Sequence, residues 1–375
     1  MKKLILPLLL FLSCHSFAQF TVAGKVVDQA DKKPVLFATV FLNNTSAAAP
    51  TNDNGDFRLK NIHPGHYQLI ITFIGYETYK TNIIVDNNMD IPVIELVPSN
   101  KTLSQVQVTD KFKLSWHFDD FKKEFLGTTD FAKECKILNP EVLHFDYDKQ
   151  SEMLLVSSND FLLIENDALG YKIHYKVDRF TKDENTKSIF YEGPSYFEEM
   201  KGTPQQMQQW KENRMHAYRG SFMQFLRSLL TKNKMEIEGY AVNKLYRVPN
   251  PYYDRNKDGK ANMYIQKFID TPLTRTDFVV STNQKGLFAL KGVADTCLYI
   301  RYDAKKDLVS ATEKDIFRPG RMIFAKVTSI LTFNARYATF DYNGVITNPA
   351  SLSIEGYFGE GRVAYQLPDD FEPTN

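Results

Sequence analysis

The residue types most often used for acid–base and metal chemistry are represented by 45 Asp and Glu, seven His and three Cys. A zinc carboxypeptidase holds its metal with His-x-x-Glu. None of His63, His66, His117, His144, His174 or His216 is followed three residues later by Glu. His117-Phe118-Asp119-Asp120 gives only His-x-x-Asp, which one face of an amphipathic helix accounts for. His-Glu-x-x-His, Cys-x-x-Cys, Gly-x-Ser-x-Gly and Gly-x-x-x-x-Gly-Lys are missing. Asp254-Arg255-Asn256-Lys257-Asp258-Gly259 reproduces the first half of an EF-hand loop. Its twelfth position is Ile265, which has no oxygen for calcium, so the run reads as a polar turn.

What remains is scattered. Glu165, Asp167, His174 and Glu198/Glu199 serve a hydrolase only if folding gathers them into one cleft. Trp210, Arg214 and Tyr218 stand four residues apart, so a stacked or cation–π ladder on one helix face is expected to brace that helix against a sheet. Tyr252 and Tyr253, in the Tyr-rich run 246–253, together with the run 190–197, offer an aromatic face for a glycan or peptide. The alternative is ordinary cross-strand packing. These residues assign no catalytic centre, no cofactor and no metal.

Lys2 and Lys3, the apolar run 4–12 and Ser16-Phe17-Ala18 make residues 1–18 a secretory signal peptide, too short in its apolar part to span a bilayer. Lipidation at Cys14 is the lesser reading, because Phe11 stands where an aliphatic residue is usual. No later run of 18 apolar residues predicts a membrane helix. Cys135 and Cys297 remain, to be paired in an oxidising compartment or held as buried thiols. With 46 Lys and Arg against 45 acids, the net charge of +1 argues against a nucleic-acid partner. The expected place is the periplasm or the outer membrane.

The elements that must position these groups are mostly strands. Apolar–polar alternation predicts strands at 21–28, 36–43, 57–60, 67–73, 79–85 and 91–96, separated by Asn-, Asp-, Pro- and Gly-rich turns. Phe118, Phe121, Phe125 and Leu126 predict a helix over 116–135. Strands follow at 142–147, 153–157, 161–164, 171–180 and 188–197. A helical pair with a bend at Gly220 follows near 204–231, introduced by Thr203-Pro204. Strands then resume from 238 to 366, and Gly356–Gly361 is expected to be a hairpin turn.

Gly24-Lys25-Val26-Val27-Asp28, Pro34-Val35 with Ala38-Thr39-Val40, Thr51-Asn52-Asp53-Asn54-Gly55-Asp56-Phe57, Gly65-His66-Tyr67 and Ile74-Gly75-Tyr76-Glu77 resemble the carboxypeptidase-regulatory-like domain. The resemblance implies a transthyretin-like sandwich of about seven strands, a non-catalytic module of secreted and outer-membrane proteins of the Bacteroidetes type. Calcium in its central turn is less expected than Asx side chains bonding their own backbone. Leu103 to Thr109 looks like the segment joining such domains to the plug of TonB-dependent transporters. The chain is too short for a 22-strand barrel, and its helical segments argue against a small one.

Trp116 with Phe125-Leu126-Gly127, Cys135 to Pro140, Ile164 to Tyr171, Trp210, Asn213-Arg214, Ala217-Tyr218 and Gly220-Ser221 resemble a second, uncharacterised group of Bacteroidetes secreted proteins. That group carries the same domain in front and lends no chemistry. The expected layout is a signal peptide (1–18), the sandwich (19–98), a linker (99–115) and a strand-rich α+β domain (116–375). The expected function is a non-catalytic, exported cell-envelope module that binds a protein or glycan. The alternatives are a hydrolase of peptide, glycan or peptidoglycan, and an accessory to TonB-dependent uptake.

Overall fold

The computed structural model describes residues 19–99, 111–254, 264–292, 296–303, 317–318, 321–322 and 328–373. The expected signal peptide, most of the expected linker and the EF-hand-like turn beyond Asp254 lie outside them. No helix among the described residues is long and apolar enough to cross a membrane.

The first 80 described residues form a sandwich of eight strands: β1 (Phe20–Asp28), β2 (Thr39–Leu42), β3 (Ala48–Pro50), β4 (Asp56–Ile62), β5 (Gly65–Thr72), β6 (Tyr79–Val85), β7 (Met89–Asp90) and β8 (Ile94–Leu96). One sheet is β4-β1-β7 with β8 also on β1, and the other is β3-β2-β5-β6. Alternation drives the packing, since Val22, Val26, Val40, Leu42, Leu59, Leu69 and Ile71 meet in one core between the sheets. In the central turn, Asn52 Oδ1 accepts the amides of Asn54 and Asp56, both at 2.9 Å. That turn bonds its own backbone, as expected of Asx residues.

Next come α1 (Lys111–Leu126), α2 (Asp130–Lys133), β9 (Cys135–Ile137), β10 (Leu143–Asp148), β11 (Met153–Ser158), β12 (Phe161–Asn166), β13 (Tyr171–Lys176), β14 (Arg179–Asp183), β15 (Ser188–Glu192) and β16 (Ser195–Glu199). The helix expected over 116–135 stops at Leu126. Gly127, at φ +96°, donates its amide to Lys123 O at 3.0 Å, and Thr129 then caps a separate short turn. The strands expected over 171–180 and 188–197 each divide in two. Their halves enter different sheets, β10-β11-β14-β15 and β16-β13-β12-β9. The two sheets share a core that includes Val156 and Phe180 from one, Ile164, Ile173 and Phe197 from the other, and Phe121 and Phe125 of α1.

The helical pair is α3 (Pro204–Tyr218) and α4 (Phe222–Ser228), separated by Gly220 at φ +77°. Thr203 and Gln206 close a capping box on α3, and the Ser221 side chain caps α4. The rest is α5 (Lys234–Ile237), β17 (Tyr240–Pro249), β18 (Tyr264–Leu273), α6 (Arg275–Phe278), β19 (Val279–Ser281), β20 (Leu287–Lys291), β21 (Thr296–Tyr302), β22 (Phe317–Arg318), β23 (Arg321–Met322), β24 (Thr328–Phe333), β25 (Tyr337–Asp341), β26 (Leu352–Gly356) and α7 (Tyr357–Glu360). A five-stranded sheet, β18-β17-β21-β24-β26, and a three-stranded sheet, β19-β20-β25, enclose a second core with Phe225 and Leu226 of α4 and Leu229 at its C-cap. The Gly356–Gly361 cluster is no hairpin. Gly356 ends β26 at φ +77°, and the chain winds directly into α7.

The region expected as one α+β domain therefore holds two separate large buried clusters. The chain's end returns to the first of them, where Val363, Ala364 and Leu367 are buried.

Candidate functional site

The helix α3 is fixed by its side chains. Trp210 Nε1 donates to Asp167 O at 2.8 Å and Asn213 Nδ2 to Ala168 O at 2.7 Å. Arg214 donates from Nε to Leu169 O at 2.8 Å and from Nη2 to Gly170 O at 3.2 Å. Four successive carbonyls of the β12–β13 turn are thus satisfied by one helix face, whose positions i, i+3 and i+4 fall in line. Gly170 makes the fit possible: it lies at φ +69°, and an added Cβ would sit 2.2 Å from the Trp210 ring. The Arg214 guanidinium lies 3.8 Å from the Tyr171 ring centre and 2.7 Å from Glu199 Oε1. The helix is braced as expected, but not by a ladder: Trp210, Asn213 and Arg214 hold it through backbone carbonyls, and Trp210, Arg214 and Tyr218 each turn to a different partner. Tyr218 meets Arg227 and Phe371.

Beside Arg214 lies a groove of about 360 Å³. Tyr171, Glu199 and Lys211 form one wall. Ser46, from the β2–β3 loop of the sandwich, and Asp370, Phe371 and Glu372, from the chain's end, form the other. Asp370 accepts the Ser46 amide at 2.9 Å and the Ser46 hydroxyl at 2.6 Å, which fixes that wall. Burial pushes the Tyr171 phenol up, with Arg214 opposing, so it stays neutral. Two cations, three carboxylates and two aromatic rings together suit a polar ligand carrying both charges.

The other candidates lie elsewhere. Glu165 sits on β12 beside Lys136 at 3.7 Å, and the same lysine holds Asp167 at 2.6 Å. His174, on β13, stacks on Tyr196 at 4.2 Å and reaches Glu198 at 3.3 Å. Burial lowers the His174 pKa, against the hydrogen bond and charge of Glu198. Glu165, His174 and Arg214 therefore do not converge in one cleft. Tyr252 and Tyr253 occupy the loop after β17, away from the groove lining, with Tyr252 87% exposed.

Of the two readings for Cys135 and Cys297, the disulfide is not formed and the buried thiols are what the structure has. Both are free, buried thiols, and they belong to different clusters. Burial pushes the Cys135 thiol up to about 12 and raises Cys297 as well. Among the described residues no group of three or more His, Cys, Asp or Glu is placed to hold a metal ion. Ser46, Lys211 and the 370–372 wall carried no signal in the sequence, because their proximity is set by a return of the chain's end across the whole fold. Tyr171 and Arg214 were visible as members of two separate motifs that the fold joins.

Residues 22–108 match the CarboxypepD_reg-like domain family, so the N-terminal sandwich is such a domain. No curated protein matches the chain. Among solved structures, a type II cohesin–X-dockerin complex from Acetivibrio cellulolyticus matches at 26% identity with a TM-score of 0.19. That match covers 21% of this chain and 58% of the other. The group B streptococcus pilus 2b backbone protein matches at 15% identity and TM-score 0.19, covering 22% of this chain and 42% of that one. A DUF3823 family protein from Parabacteroides merdae matches at 9% identity and TM-score 0.18, covering 47% and 80%. This chain thus spans little more than half the length of the first of these.

Proposed function

We propose that this chain is an exported cell-envelope protein that binds an extended segment of a partner protein in the groove beside Arg214. The CarboxypepD_reg-like domain contributes Ser46, which anchors the wall formed by the chain's end, rather than any chemistry. The observation that carries this reading is how the groove's charged groups are engaged. Glu199 is paired with Arg214, Asp370 with Ser46, and Glu372 lies 3.8 Å from His63, while Lys211 faces solvent. Carboxylates held this way anchor walls, and a solvent-facing ammonium in the same groove suits a passing peptide with acidic residues.

The test places a photo-crosslinking residue at position 211 in cells, with the exposed position 149 as control. A protein adduct at 211 and not at 149 supports the reading; the same adducts at both, or none at 211, overturns it. Turnover of peptide or peptidoglycan, abolished by Glu199→Gln or Asp370→Asn, would establish the hydrolase instead. Export is checked by the mature N-terminus, expected at Gln19 in envelope fractions. An intact Met1 in cytosol would sink that part.

A further inference from the structure

Three parts of the fold close on residues 366–372. Asn44 of the sandwich accepts Gln366 Nε2 on its Oδ1 and donates its Nδ2 to Asp369 Oδ1. The Asp369 amide returns to Asn44 O at 2.7 Å. Arg227 of α4 gives Nη2 to Asp369 O at 3.0 Å, Nη1 to Phe371 O at 2.8 Å and Nε to Asn343 O at 2.8 Å. Asn343 Nδ2 in turn donates to Tyr67 OH at 3.0 Å. The guanidinium is thus directed at main-chain carbonyls, and Asp369, only 8% exposed, has no ion-pair partner among the described residues.

We propose that residues 366–372 are a proton-operated strap, closed on the sandwich while the Asp369 carboxyl carries its proton and released when that proton leaves. The Asp369 side chain is enclosed with other acids. Asp341, fully buried, accepts the amides of Asn343 at 3.0 Å, Val345 at 3.2 Å and His66 at 3.4 Å. Asp370 holds Ser46, Glu372 faces His63, Tyr67 lies against Asn343, and His66 Nε2 meets Lys285 O at 2.9 Å.

Burial pushes Asp369 well above the usual carboxylate range. The Asp341 charge adds to this, the Asn44 hydrogen bond opposes it, Asp370 adds again and Arg227 opposes. Asp341 is also raised by burial, with its three backbone hydrogen bonds opposing. For an acid whose folded-state pKa is raised, the stabilisation is complete below the ordinary carboxyl value and is lost as pH rises through the raised one. Because Asp370, Phe371 and Glu372 line the groove, opening the strap would also remove one of its walls. The strap itself stands whether or not the groove binds a peptide.

The test is hydrogen exchange on the full mature chain between about pH 5 and about pH 9, a window above the ordinary Asp value. Each rate is corrected for the intrinsic exchange rate. The amides of Ser46 and Asp369, which cross the junction, are read against Leu69 in β5. Their protection is expected to fall with rising pH by up to about tenfold per pH unit, the limit for one proton, while Leu69 stays protected. Asp369→Asn, which keeps the acceptor for Asn44, is expected to flatten the profile, and Asp370→Asn, which perturbs the Ser46 amide directly, to leave the Asp369 amide sloping. A flat profile in the parent chain, an unchanged slope in Asp369→Asn, or a slope abolished only by Asp341→Asn overturns the proposal. If Asp369→Asn does not fold, deletion of residues 366–375 serves. Ser46 should then exchange freely at every pH with Leu69 still protected, and a surviving pH slope at Ser46 would overturn it.

Discussion

Gly170 and Gly75 both lie at positive φ, +69° and +84°, but they differ in what surrounds them. A Cβ at Gly75 meets nothing within 4 Å, whereas one at Gly170 lands on Trp210. Gly75→Ala is therefore expected to cost only the backbone term, about 1 kcal/mol. Gly170→Ala must also expel the indole from its socket and is expected to cost more than about 3 kcal/mol. Urea melts of residues 19–375 separate the two, and equal costs would refute the socket. The same geometry predicts that Arg214→Ala costs about 2–4 kcal/mol, since two carbonyls lose a charged donor. Glu199→Gln, whose side chain is 64% exposed, should cost less than about 1 kcal/mol. Arg214→Lys should not restore the loss, because an ammonium cannot both lie flat on Tyr171 and reach two carbonyls. That α3 would be braced was legible from Trp210 and Arg214, whereas Tyr218 turns to Arg227 and Phe371. The acceptors of Trp210 and Arg214 were not legible, since backbone carbonyls leave no mark in a sequence.

Among the elements, what the sequence concealed was where strands change sheets. Alternation runs on through Tyr175 and Val177, so 171–180 reads as one strand, although the chain leaves its sheet after Lys176. The second break did leave a sign, Gly193-Pro194. A Cβ at Gly193 would sit 1.7 Å from Lys176 O, so the two crossings touch backbone to backbone. Gly127 was likewise available as a helix stop within 116–135. The resulting sheet places His174 against Tyr196, beneath Phe41 of the sandwich, which contacts both Phe161 and Tyr196. Burial lowers the His174 pKa, so this packing stabilises the fold above the ordinary histidine value and fails as pH falls through the depressed one. NMR titration should give His174 a midpoint below about 6.5, and His174→Phe should reduce the acid-side loss of stability. A midpoint at or above that value would mean Glu198 dominates instead.

At the scale of the whole molecule, the sandwich was legible as a unit because its turns and its core lie within one short run of chain. The two cores of the remainder were not, because the chain's end closes the first of them from far away in sequence. How firmly the sandwich belongs to the rest turns on Phe41 and Ile70, a cross-strand pair on β2 and β5. Both are fully buried, yet neither belongs to the sandwich core, where Val40, Leu42, Leu69 and Ile71 point instead. Phe41 is covered by Phe161 at 5.8 Å and Tyr196 at 4.9 Å, and Phe197 N donates to Thr45 O at 2.9 Å alongside. Docking, rather than folding of the sandwich, buries this face. Phe41→Ala should therefore leave the sandwich intact while removing about 3–5 kcal/mol from its attachment. Calorimetry of the parent chain should show the sandwich melting together with the body it is docked on. In Phe41→Ala the sandwich should separate as its own transition, at a temperature insensitive to Asp369→Asn. If the variant instead melts in one transition merely shifted downward, the face is part of a single cooperative core and the two units do not exist as such.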